Sequence, residues 1–140
     1  MPKIVILNGS VVNYDNQIDW TTLPDDVFVY DETPRDQIID RVADATVVVT
    51  KEMPMPGDII RQLPASVKMV CEAGTGYNNY DADALREKGI ILTNIPAYST
   101  QRVAQTAIML MLNLASTMQE QIRMLAAGNH DNFDKHLMVN

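Results

Sequence analysis

The stretch Val67-Lys68-Met69-Val70-Cys71-Glu72-Ala73-Gly74-Thr75-Gly76 decides the fold. Its apolar part is too short for a helix and runs into glycines, so it reads as a strand entering a turn. Continuous apolar character, in place of alternation, marks a strand buried on both faces, the habit of parallel sheets. Working outward, similar short runs recur at 4–7, 27–30, 46–49 and 90–93. Helical patterns fill the gaps. Thr33 is placed to cap a helix with Pro34 at its first position and Ile38, Ile39 and Val42 on one face. Pro56 opens a second through Ile59, Ile60 and Leu63, and Pro64 ends it. Asn79 or Asp81 caps a third that contains Leu85 and Lys88 and stops at Gly89. Segment 14–24 is polar and turn-rich, with Trp20 and Leu23 as its anchors. Such alternation predicts an α/β fold: an open parallel five-stranded sheet, helices on both faces, in flavodoxin-like order.

Past Pro96 the pattern changes. Without a proline or glycine, 100–125 reads as one long linking helix. Val103, Ala104, Ala107, Ile108, Leu110, Met111, Leu112, Leu114 and Ala115 make it apolar almost all round, so it expects a second domain or a second chain to cover it. The methionines at 109, 111, 118 and 124 read as packing residues. Gly128 ends this pattern. The expected organisation is one domain over 1–98 and a hinge, helix and tail over 99–140.

Composition narrows the function classes. Of 140 residues, 46% are hydrophobic and 21% charged, enough for a packed core and too mixed for disorder. A net charge of −7 disfavours phosphate backbones and anionic lipid as partners. No apolar run approaches the ~18 residues of a membrane span, and no signal peptide is evident. The single cysteine, Cys71, fits a reducing compartment, and a cytoplasmic location is expected.

In open α/β sheets, ligands bind at the carboxyl ends of strands. The loops there are 8–10, 50–55, 72–81 and 94–100. Gly74-Thr75-Gly76 is the most informative, and two readings stay open. Its backbone N–H groups could cradle a carboxylate or another small anion, or it is a plain turn whose dihedrals need glycine. It is not a GxGxxG motif, because Asn79 stands at the third glycine, and no GxxxxGK[ST] occurs anywhere. Lys51, with Glu52, follows the third strand and could reach the cleft, or be simply solvated. His130 and His136 read as solvated tail residues. Cys71 reads as a small buried hydrophobe. The adjacent Asp31 and Glu32 carry little acid–base signal. A phospho-receiver would need acids after the first strand and an aspartate after the third, where Asn8-Gly9 and Thr50-Lys51 stand.

The stretch Glu72-Ala73-Gly74-Thr75-Gly76-Tyr77-Asn78-Asn79-Tyr80-Asp81 resembles the D-isomer-specific 2-hydroxyacid dehydrogenase family. Gly89-Ile90, Thr93-Asn94-Ile95-Pro96-Ala97-Tyr98-Ser99-Thr100 and Val103-Ala104-Gln105 extend the likeness, which is greatest to the hydroxypyruvate reductase or glycerate dehydrogenase branch. The resemblance implies a flavodoxin-like substrate-binding domain over 1–98. It implies a hinge at 96–100 and a helix that packs in a homodimer interface. It also implies that the backbone N–H groups of Thr75 and Gly76 hold the carboxylate of a small 2-oxo or 2-hydroxy acid, with Gly74 and Lys51 as neighbours in the site. By the same resemblance, NAD(P) and the catalytic arginine, acid and histidine belong to a later Rossmann domain of a full-length parent. This chain alone would then bind no cofactor, supply no catalytic residue and be inactive. The alternative is a naturally truncated, non-enzymatic module that binds a small carboxylate or associates through the helix. Two departures from the family pattern stand out. Glu72 places an acid before the glycine loop, so it should point away from the cleft or pair with Lys51. Glu52 stands where close relatives often have lysine.

Overall fold

The computed structural model describes residues 3–131. The chain divides into two compact units, Met1–Ala97 and Tyr98–Asn140. The first holds β1 (Ile4–Ile6), α1 (Gly9–Val12), β2 (Val27–Val29), α2 (Ile38–Arg41), β3 (Val47–Thr50), α3 (Gly57–Gln62), β4 (Met69–Glu72), α4 (Ala82–Lys88) and β5 (Ile91–Thr93). All strand pairs are parallel, in the order β2-β1-β3-β4-β5. This is the predicted flavodoxin-like order.

The chain steps one way from β1 to β2 and the other way for every later crossover. Right-handed crossovers therefore put α1 on one face and α2, α3 and α4 on the other. Burial follows this division. Val5, Val48 and Val70 lie in register and are fully buried, with Ile38, Val42, Ile60, Leu63 and Leu85 from the helices packed in the same core. The alternate residues Val47, Val49, Met69 and Cys71 are only half-buried. The expectation of strands buried on both faces thus holds for one face. The physical reason is that α1 is a single turn, and the segment behind it, with a 3-10 turn at Trp20–Thr22, covers less than a full helix would.

Helix ends follow local chemistry. Pro56 precedes α3 as predicted. Between the two caps proposed for α4, the structure uses Asp81, whose carboxylate accepts from the Ala84 N–H at 3.0 Å. Gly89 closes α4 in the left-handed region at φ 65°, a conformation that glycine adopts without penalty. Thr33 does not cap a helix. Its hydroxyl donates to the Leu7 carbonyl and accepts from Arg41, and the chain enters α2 through a 3-10 turn at Arg35–Gln37. Asp81→Ala should cost about 1 kcal/mol through loss of this cap, measured as a lower denaturant midpoint; an unchanged midpoint would refute the capping role.

The second unit corrects one expectation. The helical pattern over 100–125 is two helices, α5 (Thr100–Ala115) and α6 (Met118–Ala126). Between them Thr117 turns left-handed, at φ 49°. At this end the Ser116 hydroxyl donates to the Leu112 carbonyl at 2.7 Å, beside the Ser116 N–H at 3.0 Å, and the Asn113 amide donates to the Met109 carbonyl at 2.7 Å. The Gln121 side chain then caps the Ser116 carbonyl. Among the described residues no helix is long and apolar enough to cross a membrane.

Candidate functional site

The carboxyl edge of the sheet brings the exits of β3 and β4 side by side. Thr50 pairs with Glu72, and the Ala73 N–H donates to the Thr50 carbonyl at 2.7 Å. Beyond this point the chain enters the glycine loop. The Ile95 N–H donates to the Gly74 carbonyl at 2.9 Å, and the Asn94 side-chain amide donates to the Thr75 carbonyl at 2.7 Å. The Thr75 hydroxyl closes the clasp by donating to the Ile95 carbonyl at 3.0 Å. In a trans peptide unit the carbonyl and the next N–H point to opposite sides, and the chain has no cis peptide among its described residues. With both carbonyls committed to 94–95, the N–H groups of Thr75 and Gly76 face the other way. Both residues are exposed, and neither N–H has an acceptor among the described residues. Two successive free donors of this kind suit a carboxylate.

Neither loop glycine adopts a positive φ, so a dihedral requirement does not explain them. At Gly74 the reason is space: a Cβ there would lie 3.0 Å from Glu72 Oε1. The acid that precedes the glycine loop is therefore directly under it. It does not pair with Lys51. Glu72 is 1% exposed and turned into the helix-covered face, in the same row as Val70. Its Oε1 accepts from the Glu52 N–H at 2.9 Å and its Oε2 accepts from the Asn79 side-chain amide at 3.1 Å. Asn79 also donates to the Met53 carbonyl at 2.8 Å. Beside this cluster the hydroxyls of Thr50 and Tyr80 are hydrogen-bonded to each other, both buried. Burial, reinforced by the nearby Glu72 carboxylate, pushes the Tyr80 phenol above its ordinary value, although the bond from Thr50 works the other way.

Lys51 stands just past β3. Its backbone is bracketed by the Asn8 side chain, which donates to the Lys51 carbonyl at 2.6 Å and accepts from the Lys51 N–H at 3.0 Å. Its ammonium lies 5.1 Å from the centroid of the exposed Tyr14 ring. The remaining sequence candidates do not join this edge as reacting groups. Asp31 and Glu32 lie just after β2 and use their backbone carbonyls to accept from Ser10 and Arg41. Cys71 is half-buried and accepts from the Thr93 hydroxyl at 3.0 Å. His130 is exposed in the second unit, and His136 lies outside the described residues. No metal-holding group of His, Cys, Asp or Glu occurs among the described residues.

Sequence reading placed the loops of Asn8, Thr50, Asn79 and Tyr80 at this edge but gave none of the four a part in the site. A signal for Thr50 was present: period-two alternation carries it onto the buried row of Val48, as it carries Glu72 onto the row of Val70. The partners in the loops had no periodicity to reveal them.

The family model for the D-isomer specific 2-hydroxyacid dehydrogenase catalytic domain matches residues 5–135. A hydroxypyruvate reductase from Blautia hydrogenotrophica is 38% identical over 117 residues, which is 80% of this chain and 36% of that protein. A glyoxylate/hydroxypyruvate reductase B from Pectobacterium atrosepticum is 34% identical over 71 residues, 51% of this chain and 22% of that protein. This chain thus spans only about a third or less of the length of these relatives. Among solved structures, an acyclic imino acid reductase in complex with NADPH and D-Arg gives a TM-score of 0.71 at 17% identity, covering 90% of this chain and 41% of its own. A glyoxylate reductase from Paecilomyes thermophila gives 0.68 at 22% identity, covering 91% and 42%. At such identities the structural likeness speaks for the fold alone. The match along nearly the whole chain, joined to the strand order and the glycine loop, places this chain in the D-isomer specific 2-hydroxyacid dehydrogenase family.

Proposed function

We propose that this chain is the substrate-binding portion of an NAD(P)-dependent oxidoreductase that reduces small 2-oxo acids, of the hydroxypyruvate or glyoxylate type, to D-2-hydroxy acids. The observation that carries this reading is the pair of exposed N–H groups at Thr75 and Gly76, turned to one side by the clasp at 94–95. They would bind the substrate carboxylate in two charge-assisted hydrogen bonds and so orient the neighbouring C2 carbonyl. Lys51 would add positive potential at the same edge. The names of the curated relatives support the choice of hydroxypyruvate or glyoxylate.

A nicotinamide cofactor would supply the hydride. The β4–α4 loop does not fit a dinucleotide: Asn79 replaces the third glycine, and the Asp81 carboxylate occupies the start of α4 where a pyrophosphate would need free N–H groups. The cofactor site and the proton donor are therefore assigned to a further part of a longer parent. Titrating the isotope-labelled chain with D-glycerate should move the Thr75 and Gly76 amide resonances first, with a Kd of roughly 1 mM or weaker. Glycerol, which lacks the carboxylate, should leave them in place. The same chain should oxidise no NADH above background with hydroxypyruvate. Static amides at Thr75 and Gly76 would sink the carboxylate reading, and robust turnover would sink the division of labour.

The second unit belongs to the same reading, as a self-association surface. Val103 and, at 80% exposure, Leu114 present an apolar face on one side of α5, and Ile108 and Leu112 present another on the opposite side. Such a face is unfavourable in water and expects a partner helix, here from a second copy of the chain. Light scattering should give a dimer or larger species at micromolar concentration, and Leu114→Glu should shift it toward monomer. A clean monomer for the unmodified chain would refute this assignment.

A further inference from the structure

We propose that Glu72 is a positioning residue, a buried carboxylate that fastens the β3–α3 loop to the β4–α4 loop and thereby sets the geometry of Lys51 against Thr75 and Gly76. The inference rests on the carboxylate-binding reading for its functional consequence. The fastening itself rests on geometry.

Glu72 is the last residue of β4, so its backbone is held by the sheet next to Thr50. Its two oxygens go to different loops. Oε1 takes the Glu52 N–H at 2.9 Å, one residue after Lys51. Oε2 takes the Asn79 amide at 3.1 Å, three residues after Gly76. Asn79 then reaches back to the Met53 carbonyl at 2.8 Å, and its own carbonyl accepts from the Met55 N–H at 2.8 Å. The two loops are thus stitched through one carboxylate and one carboxamide.

The choice of an acid follows from the donors. A carboxylate accepts at both oxygens, so it can satisfy a backbone N–H and an amide at once. Leucine of similar size would take the acceptor away from the Glu52 N–H and remove a partner from Asn79. Glutamine would keep one acceptor but present an NH2 to the Asn79 NH2. Glu52 also sits at φ 56°, a conformation that a non-glycine residue holds only when its surroundings determine it. The bond to Glu72 is such a determinant. No lysine or arginine side chain forms an ion pair with Glu72 among the described residues. Its oxygens are met by neutral donors from the loops it holds. The same approach bears on Gly74, because a Cβ there would press on the fastening carboxylate at 3.0 Å and oblige it to shift by a few tenths of an ångström.

The test uses the full chain and its Glu72→Gln and Glu72→Leu variants, read by amide resonances with and without D-glycerate. Without ligand, Glu72→Leu should speed solvent exchange of the Glu52 amide by at least about tenfold and displace the resonances of Lys51, Thr75 and Gly76, which the substitution does not touch. Glu72→Gln should keep the Glu52 amide near wild-type protection but displace the Asn79 side-chain amide. With D-glycerate, Kd should weaken about tenfold in Glu72→Leu and about threefold in Glu72→Gln, while Val5 and Val42 resonances stay in place. Should Glu72→Leu not fold, the Glu72→Gln results decide. Wild-type resonances at Lys51, Asn79, Thr75 and Gly76 in the folded variants would overturn the fastening. If wild-type protein ignores D-glycerate, the carboxylate reading fails separately, and the ligand-free resonances still judge the fastening.

Discussion

Ile60→Ala is expected to destabilise the first unit by about 3 kcal/mol, the middle of the range for deleting a fully buried isoleucine. Ile60 is 0% exposed on α3, packed in the core beneath the helix layer. Its loss removes apolar contact and leaves a void that the sheet and the flanking helices cannot fully close, since the β3 and β4 backbones are pinned by strand pairing. For a unit of this size the thermal midpoint should fall by about 15 °C. Ile91→Ala is the internal control. Ile91 lies on the edge strand β5 at 58% exposure, and its loss should change stability by no more than about 0.5 kcal/mol. Equal effects from both substitutions in a denaturant titration would contradict the one-sided core described above.

The second large effect concerns the buried hydroxyl pair. Tyr80→Phe removes the partner of the Thr50 hydroxyl at a site with no access to water, and should cost about 2 kcal/mol. Adding Thr50→Val removes the stranded hydroxyl as well and should recover much of that loss. The double-mutant cycle should therefore show a coupling of about 1–2 kcal/mol; additive effects would deny the bond an energetic role. A pH dependence follows from the same pair. The Tyr80 phenol is raised above its ordinary 10.0 in the folded chain, chiefly by burial. Below pH 10 folded and unfolded states both hold the proton, and the contribution is constant. Above pH 10 the unfolded chain releases that proton while the folded chain keeps it, so stability falls as pH rises, by up to about 1.4 kcal/mol per pH unit. The difference between wild type and Tyr80→Phe should shrink through this window. A difference constant from pH 9 to 11 would show that Tyr80 ionises normally.

Both pairs of residues illustrate where the chain announces itself and where it does not. Ile60 was legible as a core residue from its spacing with Ile59 and Leu63 behind Pro56. Local rules also identified the strand positions and the glycine that ends α4. Each of these depends on neighbours within a few residues, and the chemistry of a cap or an apolar run acts at that range. The break at Thr117 was missed because no proline or glycine marks it.

The sequence by itself determined the fold class and the family, because period and short motifs encode them locally, and the alternation of strands and helices pointed to the parallel five-stranded order. It pointed to Gly74-Thr75-Gly76 without saying why glycine stands there. Only the tertiary structure decided that. Parallel pairing sets Thr50 beside Glu72 across more than twenty residues of chain, and the clasp at Asn94 and Ile95 turns the loop's N–H groups outward. A buried carboxylate takes its meaning from the donors that meet it. Of those donors, Asn79 comes from the same loop, and Glu52 is brought to Glu72 by the pairing of β3 with β4.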